Sequence, residues 1–236
     1  MAIRKSLAVS KVLERAVERL HAKPQPGAAE MVSGARQIAK LLDGLEAIAH
    51  QRNPTETREA HALRVAKAAE QLLAKVKDAE ARDNTTRTLA ANAVQARLND
   101  VTKLAEGPRS REIRDVFRAM SKAEQSALID RAMQAQDHET LGAILTAPAF
   151  LSGMDATQQA GYRTHYETAI APKLVAEFDE ILAADESAAT VRRVAREVAT
   201  EARQPDFIAK IEKDRAEAER AQQSFDSAAG EVHSAA

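Results

Sequence analysis

Apolar residues recur every three to four positions along most of the chain, which is the spacing that gathers them on one side of an α-helix. In residues 3–22 this spacing places Leu13, Val17 and Leu20 on one face, with charged residues opposite. Residues 23–27, Lys-Pro-Gln-Pro-Gly, interrupt the pattern because proline lacks a backbone donor and disfavours helix in the residue before it. The sequence therefore predicts an N-terminal amphipathic arm and a linker over residues 1–27.

The longest periodic stretch occupies residues 28–106. Within it, Asn53-Pro54-Thr55-Glu56 predicts a helix start, with asparagine as the N-cap and proline at the first helical position. Residues 83–86, Asp-Asn-Thr-Thr, interrupt the apolar stripe, so that one long helix and two shorter helices both fit the sequence up to Gly107-Pro108. An unbroken helix would span about 80 Å, and we therefore predict an elongated molecule with a long-helix hairpin or coiled region.

Helix-start signals are more closely spaced in residues 109–203, where we predict a helical bundle domain. Ser121 and Glu124 form a capping box, and Asp137 and Asp155 are further N-cap candidates. Residues 204–236 begin with another helix, but its apolar face fades and the last ten residues are typical of a frayed tail. Since no segment alternates like a strand, the predicted fold class is all-α.

Alanine dominates the apolar content of the chain, with 51 of the 236 residues. Alanine favours helix because its side chain loses no entropy there, but its methyl group buries little area at about 25 cal/mol per Å². A single chain therefore gains little burial by packing such helices together. This shortage predicts a homo-oligomer, since a second copy would supply the missing apolar contact.

Charge and cysteine content exclude several classes of protein. The 34 basic and 35 acidic residues give a net charge of -1, which argues against bulk attraction to nucleic acid or anionic lipid. The absence of cysteine excludes disulfides and thiolate chemistry. Because no apolar run approaches the roughly 20 residues of a membrane span and the N-terminus resembles no signal peptide, we expect a cytoplasmic or virion-associated protein that is not secreted.

Catalytic and metal-binding motifs are missing from the sequence. His138-Glu139 lacks the second histidine of the helical zinc motif, since position 142 is glycine. His165, between Tyr162 and Tyr166, is the one aromatic cluster with a group for acid–base chemistry, and a solvated helix face explains it better. We therefore predict no enzyme activity, no cofactor and no metal.

Arginine-rich segments remain as candidate contact surfaces. Helical spacing places Arg111, Arg114 and Arg118 on one side, where they could contact phosphates or an acidic partner, and residues 192–196 hold a second arginine group. Acidic neighbours favour a salt-bridged surface, but a nucleic-acid-associated accessory protein is the alternative function. The arm in residues 1–27, with six basic and two acidic groups, fits a helix that docks on a partner protein, and a helix packed on its own bundle fits equally.

Residues 141–153, Leu-Gly-Ala-Ile-Leu-Thr-Ala-Pro-Ala-Phe-Leu-Ser-Gly, follow the capping boxes described above. Residues 121–153 as a whole resemble small all-helical proteins encoded among bacteriophage virion genes. The resemblance implies a scaffolding, internal or head-associated role without catalysis, and it transfers no functional residue. We therefore predict a non-enzymatic structural or assembly protein that acts through helix-mediated oligomerisation and docks on other structural proteins.

Overall fold

A computed structural model describes residues 5–19 and 25–234, and α-helix is the only regular secondary structure in those residues. The helices are α1 (Lys5–Arg19), α2 (Pro26–His50), α3 (Arg58–Thr102), α4 (Ser110–Ala119), α5 (Lys122–Ala135), α6 (His138–Leu145), α7 (Ala149–Ser152), α8 (Ala156–Ile170), α9 (Pro172–Arg203) and α10 (Pro205–Ser234). The all-α prediction is confirmed.

The chain folds into two compact units. Within the described residues, unit 1 comprises 5–19, 29–84 and 184–234, and unit 2 comprises 25–28 and 85–183. The division therefore passes through the first turn of α2, through α3 and through α9, and the boundary predicted at 107–108 lies inside unit 2. The continuous helices α3 and α9 cross points where the apolar pattern of the sequence weakens.

The start of α3 differs from the prediction. The carboxamide oxygen of Asn53 accepts a hydrogen bond from the backbone nitrogen of Thr55 at 3.1 Å, and the carbonyl of Asn53 accepts one from Glu56 at 3.0 Å. These bonds close a local turn instead of a helix. The hydroxyl of Thr57 accepts from the backbone nitrogen of Ala60 at 3.1 Å, so Thr57 is the true N-cap.

The structure also answers whether residues 54–106 form one helix or two. Residues 58–102 form a single helix, and Asp83 does not break it because its carboxylate is buried and paired with Arg192. The helix ends at Thr102, because the next residue, Lys103, has a φ of 53° in the left-handed region. The helix therefore ends five residues before Gly107, the glycine that the sequence predicted to close it.

The core of unit 1 is formed by apolar faces of α2, α3 and α9, with Met31, Leu42, Leu72, Val76 and Val191 among its fully buried side chains. Alanine supplies almost half of the buried apolar residues described in this unit. The narrow alanine surfaces predicted from composition are therefore present, and they allow helices to approach closely while contributing little burial per residue.

The core of unit 2 lies between α4, α5, α6 and α8. Its members are mostly large, and they are Leu104, Phe117, Ile129, Ala132, Leu141, Ile144, Leu145 and Tyr166. The predicted caps surround it: Ser121 and Glu124 form the complete capping box, Asp137 accepts from the backbone of Thr140, and Asp155 accepts from the backbone of α8. These predictions are confirmed.

Two close contacts fix α6 within unit 2. Gly142 lies against the loop after α3, where a Cβ atom would overlap with the carbonyl oxygen of Ala105. The buried amide of Gln159 donates hydrogen bonds to the carbonyls of Ile144 at 2.6 Å and Ala147 at 2.8 Å. Since these carbonyls lie at the end of α6, Gln159 satisfies groups that the helix itself leaves without donors.

Candidate functional site

The predicted docking face of α1 is at least partly buried within the chain. Val9 and Ala16 are 2% and 4% exposed, and they lie seven residues apart on the same side of the helix. Leu13 is half-buried. The side chain of Val17 and the whole of Leu20 lie outside the described residues. The described part of α1 therefore agrees with the alternative of a terminal helix packed on its own protein.

The arginines of α4 and of the turn before it are mostly paired with acids. Arg114 donates to Glu106 at 2.8 Å and to the carbonyl of Ala143 at 3.2 Å, and Arg118 pairs with Asp115. Only Arg111 of the three predicted contact residues is exposed without an ion pair in the described part of the chain. A continuous cationic surface is therefore absent from α4 as described.

Arg109, at the start of the same segment, also has an acidic partner. Its guanidinium binds the carboxylate of Glu139, and hydrogen bonds from Arg109 hold the pKa of that carboxyl below its usual range. Glu139 therefore acts as the counter-ion of an arginine, and not as part of a zinc motif with His138. In the described residues, no three histidine, aspartate or glutamate side chains come together as metal ligands would.

The second arginine group is neutralised in the same way. Arg192 is buried against Asp83, Arg193 binds Glu197 at 3.1 Å, and Arg196 binds Glu80 at 2.8 Å. In each pair a guanidinium nitrogen contacts a carboxylate oxygen. Two of these partners lie on α3, more than a hundred residues away in sequence. The pairs of Arg192 and Arg196 with residues of α3 therefore cannot be inferred from the spacing of residues within one helix.

The aromatic cluster around His165 is divided between different partners. Tyr162 shares a hydrogen bond of 2.6 Å with the hydroxyl of Ser126, and Tyr166 shares one of 3.0 Å with Nδ1 of His138. Tyr166 is 1% exposed, and burial raises the pKa of its hydroxyl. His165 itself is exposed. A tyrosine buried in this way supports the core, and it does not present a reactive group to a substrate.

The most exposed large apolar side chain described in unit 1, Phe225, lies on α10. Of the described side chains in this helix, only Ile208, Ile211 and Ala216 are half-buried, and every side chain from 217 to 227 is exposed. Phe207 is 41% exposed and Phe225 is 69% exposed. We call the side of the helix that carries these phenylalanines the α10 face.

The α10 face follows a heptad pattern. Phe207 and Phe225 lie 18 residues apart, which is five turns of helix or about 27 Å, so they project in the same direction. Ile211, Ala218 and Ala221 fall between them in the same heptad register, and Asp214 occupies the one remaining position of that register. This pattern is typical of a helix that packs lengthwise against another helix.

Sequence reasoning missed the α10 face because Phe225 is isolated among alanine, glutamine and charged residues. The available signal was the position of Phe225, which continues the register of Phe207 and Ile211. The helical backbone of α10 continues to Ser234 and so includes most of the segment from Ser227 onward that the sequence predicted as a frayed tail.

Comparisons with known proteins add no relative. No family model matches the chain, and neither a curated protein nor a solved structure matches it. Among the helices that the structure describes, none combines the length and apolar character needed to cross a bilayer.

Proposed function

We propose that this protein is a non-enzymatic assembly protein that self-associates by packing the α10 face against a second copy of the chain. The observation that carries the proposal is the exposure of α10, in which every side chain from 217 to 227 is exposed although the segment includes Phe225. A helix in globular proteins owes most of its stability to the packing of one face. A partner helix would provide that packing.

The forces within α10 are too weak to replace a partner. Three side-chain pairs at a spacing of four residues support it, namely Lys213–Glu217, Arg215–Glu219 and Gln222–Asp226. Each such pair contributes about 0.2–0.5 kcal/mol, or roughly 1 kcal/mol together. Burial of one phenylalanine contributes about 1.5–3 kcal/mol, so a contact that covers Phe225 on both copies outweighs these pairs.

Other structural proteins are the further partners that we propose. The resemblance of residues 121–153 to bacteriophage virion proteins supports a role in a virion or a comparable assembly. The nucleic-acid alternative gains no support from the structure, because acids pair with every arginine of residues 109–118 and 192–196 except Arg111.

The test is the molar mass of the full chain in solution, measured by light scattering after size-exclusion chromatography over a range of concentrations. We expect a concentration-dependent mass above that of the monomer. Phe225→Glu should weaken association by at least about a hundredfold, since two phenylalanines lose their burial. Gln223→Glu is the matched control, because position 223 faces away from the α10 face.

Two results would contradict the proposal. The first is a monomer at every concentration. The second is association that responds equally to Phe225→Glu and Gln223→Glu, since this would show that another surface makes the contact. Circular dichroism of each variant confirms that helix content is retained, so that loss of association is not caused by unfolding.

A further inference from the structure

A cavity of about 610 Å³ opens in unit 1, where the ends of α2 and α9 meet the beginnings of α3 and α10. Its wall is mixed, with an apolar part that includes Leu45, Val65, Val198 and Phe207 and a polar part of similar size. The volume lies in the range of about 300–1,000 Å³ that is typical of sites for small molecules. The apolar wall would accept a hydrocarbon or aromatic body.

The ionisable groups of the lining differ in whether they already have partners. Glu46 and Glu201 each take part in an interaction of their own. Arg52 and Arg58 are exposed at the cavity and make no ion pair in the described part of the chain. Arg52 and Arg58 are therefore the groups of the lining that can offer a guanidinium to an external anion.

His61 and Arg64, two further basic residues at or beside the cavity, differ from Arg52 and Arg58 because they have partners within the protein. Nε2 of His61 lies 3.3 Å from the carbonyl oxygen of Ala49, and Nδ1 lies 3.2 Å from Arg64. Arg64 in turn binds the carboxylate of Glu56 at 2.9 Å. Both groups are therefore engaged within the protein, whereas Arg52 and Arg58 make no ion pair in the described residues.

The position of Arg58 adds to this positive field. It is the first residue of α3, a helix of 45 residues whose N-terminal end carries a partial positive charge. A carboxylate near Arg58 would therefore meet a guanidinium and the helix end together. Arginine also binds carboxylates through two parallel hydrogen bonds, which orients the ligand.

We propose that this cavity binds a small amphipathic carboxylate, with its apolar body against the wall and its carboxylate on Arg52 and Arg58. The wall supplies affinity through burial of apolar surface, and the two arginines select the anionic head group. The cavity shares Phe207 with the α10 face but lies five turns of helix away from Phe225, and ligand binding is a property additional to assembly.

The test uses decanoate as the probe and isothermal titration calorimetry on the full chain, below the concentration at which the probe forms micelles. We expect saturable binding of one molecule per chain. Arg52→Gln and Arg58→Gln should each weaken binding by about fivefold, as expected for exposed ion pairs. Arg220→Gln removes an exposed arginine that does not line the cavity and should leave binding unchanged.

The uncharged probe decanol separates the role of the carboxylate from that of the ten-carbon hydrocarbon chain, and we expect decanol to bind more weakly than decanoate. Val65→Phe, which fills the cavity from its wall, should reduce the binding of both probes. The proposal is overturned if decanoate shows no saturable binding, if decanol binds equally well, or if neither arginine variant changes the affinity.

Discussion

The buried ion pair between Asp83 and Arg192 provides the sharpest test of how unit 1 is held together. The two side chains are 5% and 6% exposed, and they join α3 to α9 in the middle of both helices. Burial lowers the pKa of Arg192, because the charged form loses its hydration. Asp83→Ala would leave this buried guanidinium without its nearest counter-ion.

The magnitude follows from the surroundings of Arg192. Removing one partner of a buried pair costs about 3–5 kcal/mol, because the remaining charge stays buried. Asp185 lies 3.8 Å from the same guanidinium and compensates part of the charge. We therefore expect Asp83→Ala to lower the free energy of unfolding by about 3 kcal/mol.

Glu80 supplies a matched control on the same helix. Its ion pair with Arg196 joins α3 to α9 as well, but the side chains are 46% and 50% exposed. Exposed pairs contribute about 0–1 kcal/mol, so Glu80→Ala should have a small effect. The double variant Asp83→Leu with Arg192→Met removes both buried charges, and its stability should equal or exceed that of the original protein.

The assay is urea unfolding followed by far-ultraviolet circular dichroism, at one protein concentration because association contributes to stability. The reasoning is refuted if Asp83→Ala costs no more than Glu80→Ala. It is also refuted if the apolar double variant is as unstable as Asp83→Ala alone, since the cost would then arise from lost contacts and not from an unpaired charge.

Three further predictions concern unit 2 and use the same assay. Gly142→Ala should lower the free energy of unfolding by about 2 kcal/mol, because the new methyl group overlaps with Ala105. Gly161→Ala, whose methyl group meets no atom within 4 Å, should raise it by about 0.5–1 kcal/mol. Equal effects of the two variants would contradict the close approach of Gly142 to Ala105. Gln159→Leu should cost about 1–3 kcal/mol by leaving buried carbonyls without a donor, and a neutral effect would show that they have other partners. Hydrogen bonds from the hydroxyl and the backbone nitrogen of Thr140 lower the pKa of Asp137. The carboxylate therefore stabilises the folded protein fully above its pKa in the unfolded chain, about 3.9, and this stabilisation is lost as the pH falls through its pKa in the folded protein. Asp137→Ala should therefore cost about 1 kcal/mol at neutral pH and progressively less below pH of about 4, and a constant cost would contradict this cause.

Local signals in the sequence predicted several elements of unit 2 correctly. The capping box of Ser121 and the caps of Asp137 and Asp155 are present where the residue types indicate them. A cap depends on a side chain and on backbone groups two or three residues away, so the sequence holds all the information that is needed.

Signals of the same type failed at Asn53 because two local structures compete for one side chain. The same carboxamide that caps a helix also closes a turn, and here it closes a turn while Thr57 begins α3. At residues 83–86 the sequence could not decide between a break and a continuous helix. Arg192 decides it, because it takes the carboxylate that would otherwise compete with the backbone.

The amino-acid sequence by itself determined that this protein is built of helices, where most of them begin, and that its packing surfaces are rich in alanine. These properties depend on neighbours within one or two turns. Only the tertiary structure decided which arginines are neutralised, that the α10 face is left exposed, and that four helix ends enclose a cavity beside Arg52 and Arg58. Those features arise from groups far apart in the chain, and their positions depend on how the helices pack.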